Sequence, residues 1–207
     1  MQKSLTKNSI YNVIYTIANI LFPFATSIYV SRILLPAGVG KVASAQNIVS
    51  YFVTLAALGL PSYGVREFAK VREKKYERNK LFTELLLVNI ISTTLAVVGF
   101  IGLVVVNEGF SGQWALYAAC GLSIAFNYLN IDWMYQGLEE YGYITGRSLL
   151  IKGLSLLALF LFVKTREDYV IYALISSLAT GGNYVFNVLN ARKYVALDFS
   201  RIELKRH

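Results

Sequence analysis

The chain has 207 residues, 56% of them hydrophobic and only 15% charged, against about 25% charged in soluble domains. With a mean hydropathy of +0.50, this composition excludes an ordinary soluble domain and points to an integral membrane protein. The net charge of +8 sits at the ends of apolar runs, where membrane topology accounts for it without nucleic acid. The single cysteine, Cys120, lies inside an apolar run and excludes an intrachain disulfide. The lone histidine, His207, argues against a histidine-based metal site or a Ser-His-Asp triad. No cofactor and no metal are expected.

The amino terminus, MQKSLTKNS, leads into an apolar run too long for a signal-peptide core, with no small-residue cleavage site behind it. The apolar blocks predict an all-α, polytopic fold with six spans: Ile10–Val30, Ala43–Leu60, Leu81–Val106, Trp114–Tyr135, Tyr143–Val163 and Tyr169–Leu189. The whole chain, 1–207, then forms one six-helix bundle. Lys3 and Lys7 precede the first span. Arg66, Lys70, Arg72, Lys74, Lys75, Arg78 and Lys80 separate the second and third, and Arg192, Lys193, Arg201, Lys205 and Arg206 follow the sixth. The opposite connections hold few cations, so the positive-inside rule places both termini in the cytoplasm.

The first span carries Asn8, Asn12, Tyr15 and Asn19 in a narrow arc, and Pro23 is expected to interrupt it. That break suits either helix packing or a transport site. SRILLPAGVGK, residues 31–41, reads as a Pro/Gly turn, without the strand–turn–helix context of a phosphate loop. Gln46, Asn47, Ser50 and Thr54 make the second span partly polar. The charged segment to Lys80 reads as a solvated helical loop or as an anchor on an anionic leaflet. The third span is the most featureless. Trp114 and Trp133 bracket the fourth like interface anchors, and Asn127, Asn130 and Asp132 gather at its end.

The fifth span holds two cations, Arg147 and Lys152. A charge at the centre of a membrane helix costs roughly 2.5–3.5 kcal/mol on the insertion scale. Lys152 would lie about 13 Å deep at 1.5 Å per residue, near the midplane of a core about 30 Å thick. Arg147 is one turn in and can snorkel to the headgroups. Ser148, Lys152 and Ser155 share a face, which reads as lining a wet, positive cavity. An ion pair of Lys152 with Asp132 is the competing structural reading. Asn183, Asn187 and Asn190 lie on one face of the sixth span, below Gly181 and Gly182, which permit close helix approach. The polar groups of spans one, four, five and six thus converge toward the cytoplasmic side, as a pocket for a polar group from the inner leaflet would require.

SRILLPAGVGKVASAQNIVSYF, GLPSYGVREFAK and NIDWMYQGLEEY, followed by Arg147 and Lys152, resemble the Wzx-type polysaccharide and O-antigen flippases of the multidrug/oligosaccharidyl-lipid/polysaccharide exporter superfamily. The resemblance covers essentially the whole chain. It implies two six-helix bundles related by a pseudo-two-fold axis, alternating access, and a cationic cavity that moves an undecaprenyl-pyrophosphate-linked oligosaccharide to the outer leaflet. On that reading the chain is not an enzyme. Its partners are the lipid-linked oligosaccharide, membrane lipids, and a second bundle or other polysaccharide-assembly proteins of the cytoplasmic (inner) membrane. Lys152, Arg147 and Arg32 are the positions that match the cationic lining. Asn187, Asn183 and Asn127 would hold sugar hydroxyls, and Arg66 in VRE matches a recurrent motif at the cytoplasmic rim.

The departure from the resemblance is length, because a full member has about twelve spans or more. The chain is therefore expected to be an N-terminal half, a truncated frame or a half-transporter, and a fragment fits best because a pair needs a complementary second bundle. Two other functions compete with this one. A multidrug or organic-cation antiporter would want buried carboxylates, and only Asp132, with Glu84 near an interface, is available. A membrane-embedded glycosyltransferase or polymerase would want an acidic loop site, and Glu108, Glu167 and Asp168 form none.

Overall fold

The computed structural model describes residues 5–199, with side chains from Ile10 onward. Lys3, Arg201, Lys205, Arg206 and His207 lie outside the described residues, as do the side chains of Lys7 and Asn8. Among the described residues every regular element is helical. Three stretches of the described residues are long and apolar enough to cross a membrane: Ile10–Val71, Lys75–Val106 and Tyr141–Phe162.

Helix α1 spans Leu5–Ala57, but its backbone leaves the helical region at Leu35 (φ 56°, ψ 171°). Pro36 follows, and a proline ring disfavours helical geometry in the residue before it. Two arms, 5–34 and 36–57, meet at this one residue. The Pro/Gly turn expected over 31–41 is therefore compressed to a single strained position, with helix on both sides. Pro23 does not interrupt the first arm, whose backbone stays helical through it. The lost N–H bond is absorbed, as membrane helices commonly do.

The contacts fix the directions of the helices. Thr145 of α7 (Tyr141–Phe162) donates to Tyr11 O at 3.0 Å, Lys152 donates to Asn19, and Tyr29 Oη donates to Val163 O at 2.8 Å. The numbers rise together, so the first arm runs parallel to α7. The second arm pairs with α3 (Lys75–Val106) in opposite order. Phe52 meets Phe100 with centroids 5.5 Å apart, and Ser92 Oγ donates to Ala56 O at 2.6 Å. Helix α5 (Trp114–Phe126) runs parallel to α8 (Tyr169–Ala191). A Cβ on Gly181 would come 2.4 Å from the Phe126 ring, so only glycine admits this approach.

Leu58 and Gly59 both have positive φ (44° and 73°) and turn the chain into α2 (Leu60–Val71). This amphipathic helix occupies the solvated segment predicted there. It packs on the short α6 (Asp132–Gly137), and both contacts need glycine. A Cβ on Gly64 would meet the Trp133 ring at 2.9 Å, and one on Gly137 would meet Phe68 Cβ at 2.7 Å. Trp133 is consequently 2% exposed, wedged against Phe68 and Phe82. It is a core residue of this basic end and not the interface anchor expected. Trp114, at 69% exposed, stands at the other end of α5. The four-residue α4 (Glu108–Ser111) links α3 to α5.

The stretch 114–135 is not one helix. It ends at Phe126, passes a 3-10 turn (Asn127–Leu129) and an extended Asn130, and restarts as α6. Asn130 Nδ2 donates to Asn127 Oδ1 at 3.0 Å, and Asn130 Oδ1 accepts from the Asp132 amide at 3.4 Å. Short amide side chains here compete with the helical ladder and end it. Nor is α3 featureless. Its buried stripe includes Asn89, Ser92 and Thr93, which bond the second arm and the 3-10 turn.

Candidate functional site

At the basic end, α6, α7 and α8 close around Arg147, whose side chain is 4% exposed. Its Nη1 and Nη2 each lie 3.2 Å from Asp132 Oδ1. Nη1 also donates to Asn183 O at 3.1 Å and to Asn187 Oδ1. Asn187 in turn donates to Asp132. The guanidinium lies over the Tyr143 ring, 5.8 Å from its centroid. Around this clasp, Tyr135 Oη donates to Asn187 O at 2.6 Å and Tyr143 Oη to Phe186 O at 2.7 Å. One carboxylate and one guanidinium thus cancel in a site largely closed to water. Arg147 Nε and Asn183 Oδ1 are buried and keep unused bonding capacity among the described residues.

Asp132 therefore pairs with Arg147 and not with Lys152. Lys152 lies on the opposite side of α7, half-buried against the first arm. Its ammonium donates to Asn19 and sits between the rings of Tyr15 and Phe22, 5.8 and 5.7 Å from their centroids. Ring faces attract cations, and the amide oxygen supplies a neutral acceptor. Of the companions expected on its face, Ser155 donates back to Lys152 O at 2.8 Å and Ser148 is buried.

The remaining predicted residues are dispersed. Asn127, 1% exposed, donates to Asn89 Oδ1 at 3.0 Å and to Thr93 Oγ1 at 2.8 Å. Its carbonyl accepts from Asn89 Nδ2 at 2.7 Å. It reaches Asp132 through Asn130, as a link in a polar chain from α3 to Arg147. Arg32 is exposed near the Leu35 break. Tyr29, three residues before it, pairs with Val163, so Arg32 stands about 28 Å along the α7 axis from Arg147 at 1.5 Å per residue. Sequence reasoning missed the α3 contribution. Its signal was present, since Asn89, Ser92 and Thr93 recur at helical spacing on one stripe.

Outside the apolar stretches, Asp168 Oδ2 accepts the amides of Lys164 at 2.9 Å and Thr165 at 2.7 Å. These bonds to the charged form hold its carboxyl below the usual aspartate range. Burial pushes the Tyr194 phenol up to about 12. On α2, Glu67 is lowered chiefly by its hydrogen bond from Lys70. No group of three metal-ligating side chains occurs among the described residues.

Long apolar helices joined by internal amide, hydroxyl and ion-pair contacts define a membrane protein with a polar seam. The chain belongs to the polysaccharide biosynthesis protein family, whose pattern matches residues 5–205. It is 22% identical over 176 residues to a protein of Escherichia coli (strain K12), covering 85% of this chain and 42% of that one. It is 27% identical over 157 residues to one of Shigella dysenteriae, covering 74% and 38%. Both are named "Putative O-antigen transporter". The chain thus spans about two fifths of the relatives it matches. No solved structure matches.

Proposed function

We propose that this chain is the part of a flippase that carries an undecaprenyl-pyrophosphate-linked oligosaccharide across the cytoplasmic membrane for O-antigen or capsule synthesis. Family membership and the names of the two relatives support the transport class. The observation that carries the substrate reading is Lys152, a cation on an apolar helix with no carboxylate partner among the described residues. Held by a neutral amide and two rings, it can exchange Asn19 for a pyrophosphate oxygen in a charge-assisted bond. The six helical segments then alternate across the bilayer as one bundle with cytoplasmic termini, and a second bundle completes the transporter. No bond is made or broken, so no catalytic residue is required.

The roles of the predicted residues divide accordingly. Lys152 takes the phosphate at mid-depth. Arg147, with Asn187, is a positioning group that sets α7 against α8 and yields to cargo only by leaving Asp132. Asn183 offers its unused oxygen to a sugar hydroxyl. Asn127 ties α3 to the 3-10 turn, and Arg32 meets the phosphate at the far end of the first arm.

The test is polymer export by the full-length transporter in a strain lacking its own. Lys152→Gln is expected to abolish export with membrane insertion intact, and Lys152→Arg to retain it. Unchanged export by Lys152→Gln overturns the phosphate route. An organic-cation antiporter would instead show as altered drug susceptibility of the deletion strain.

A further inference from the structure

Between α3, the 3-10 turn and the end of α8 lies a groove of about 630 Å³. Its walls are Phe82, Leu86, Ile90, Ile131 and Val188, with Arg192 at its margin. Tyr128 also lines it, but its hydroxyl is engaged with Thr94 Oγ1 at 2.9 Å. The interior therefore offers a ligand mainly apolar contact. Ile90 and Val188 are 38% and 39% exposed, so the groove is open along its side.

Its end is chemically different. The Arg192 side chain is exposed and has no hydrogen-bond or ion-pair partner among the described residues, and Lys193 follows it. The segment beyond is fastened across the top of α3. The amide of Ala196 donates to Asn79 Oδ1 at 3.1 Å, and that of Asp198 to Thr83 Oγ1 at 2.8 Å. The groove is thus roofed by Val195, Ala196 and Leu197 and capped by a cation. An apolar trough in a membrane helix pair, ending at an unpaired guanidinium, matches one amphiphile in shape and charge: an acyl chain below and a phosphodiester above.

We infer that this groove binds one anionic phospholipid of the leaflet at the basic end, its acyl chain between α3 and α8 and its phosphate on Arg192. The inference is independent of the cargo reading, because the groove shares no residue with Lys152 or Arg147.

Trp133 reports on the site, since Phe82 both lines the groove and lies 5.9 Å, centroid to centroid, from its ring. Trp114→Phe leaves Trp133 as the sole tryptophan of the two in the chain. In nanodiscs, phosphatidylglycerol with a brominated acyl chain is expected to quench Trp133 more than brominated phosphatidylcholine at equal mole fraction. Arg192→Gln, an exposed change, should reduce that preference roughly fivefold, and Arg192→Lys should keep it. Filling the groove with Ile90→Phe and Val188→Phe should remove the quenching by both lipids. Equal quenching by the two lipids in the starting protein, or a preference unchanged in Arg192→Gln, overturns the inference and leaves only annular contact.

Discussion

Removing either partner of the Asp132–Arg147 pair should destabilise the fold by unequal amounts. The Arg147 side chain is 4% exposed and that of Asp132 is 30% exposed. Asp132→Asn leaves a guanidinium sealed from water with neutral acceptors alone, Asn183 O, Asn187 Oδ1 and the new amide oxygen. An uncompensated buried charge costs about 3–5 kcal/mol. Arg147→Gln leaves a carboxylate that still accepts from Asn187 and reaches solvent, so its loss should be about 1–3 kcal/mol. The double variant has neither charge to bury and should resemble Arg147→Gln alone, so the coupling should equal the Asp132→Asn loss, about 3–5 kcal/mol, at or beyond the roughly 3 kcal/mol upper limit usual for contacting residues. Thermal unfolding in one detergent, followed by Trp133 emission, measures all four proteins. Equal losses, or losses that simply add, would refute the burial asymmetry on which the estimate rests.

Three further outcomes follow from the fold. Leu35→Gly should raise the unfolding temperature, because the left-handed φ at Leu35 costs a side-chain-bearing residue about 1–3 kcal/mol; a fall would show that the Leu35 side chain matters more than its backbone. Gly137→Ala should lower stability by about 1–3 kcal/mol, since its Cβ would press on Phe68 Cβ at 2.7 Å and on the backbone at Val65 O, 3.1 Å away. Gly102→Ala, which meets nothing within 4 Å, is the neutral comparison in the same melt. Because the folded Asp168 carboxyl titrates below its unfolded value, its contribution is present above about pH 4 and is lost as pH falls through the lower folded value. Protection of the Lys164 and Thr165 amides, measured against their intrinsic exchange rates at each pH, should fall below that point in the natural chain, and Asp168→Asn should abolish this pH dependence of the protection.

Much of the site's chemistry was legible as composition and little of it as partnership. Arg147, Lys152, Asp132, Asn183 and Asn187 stand out as polar residues in apolar runs, and all five take part in buried or half-buried contacts. Their spacing did not say which cation takes the carboxylate. Arg147 and Lys152 are both on α7, and the choice depends on how α6 folds back after the 3-10 turn. That path follows from Asn130 bonding its neighbours' backbone and side chains. Trp133 was misread for the same reason: a tryptophan at the end of an apolar run faces an interface unless another helix covers it. Here α2 covers it through Gly64.

The sequence by itself determined the solvent of this protein. Apolar runs with so few charges have no stable soluble arrangement, and backbone groups in lipid must be satisfied within helices. The placement of cations at the ends of those runs is likewise a one-dimensional property, readable without coordinates. Only the tertiary structure decided which charges are neutralised. Coulomb energy and desolvation depend on distances between residues far apart in the chain, such as Lys152 and Asn19, and on which neighbours exclude water. Helix packing sets both.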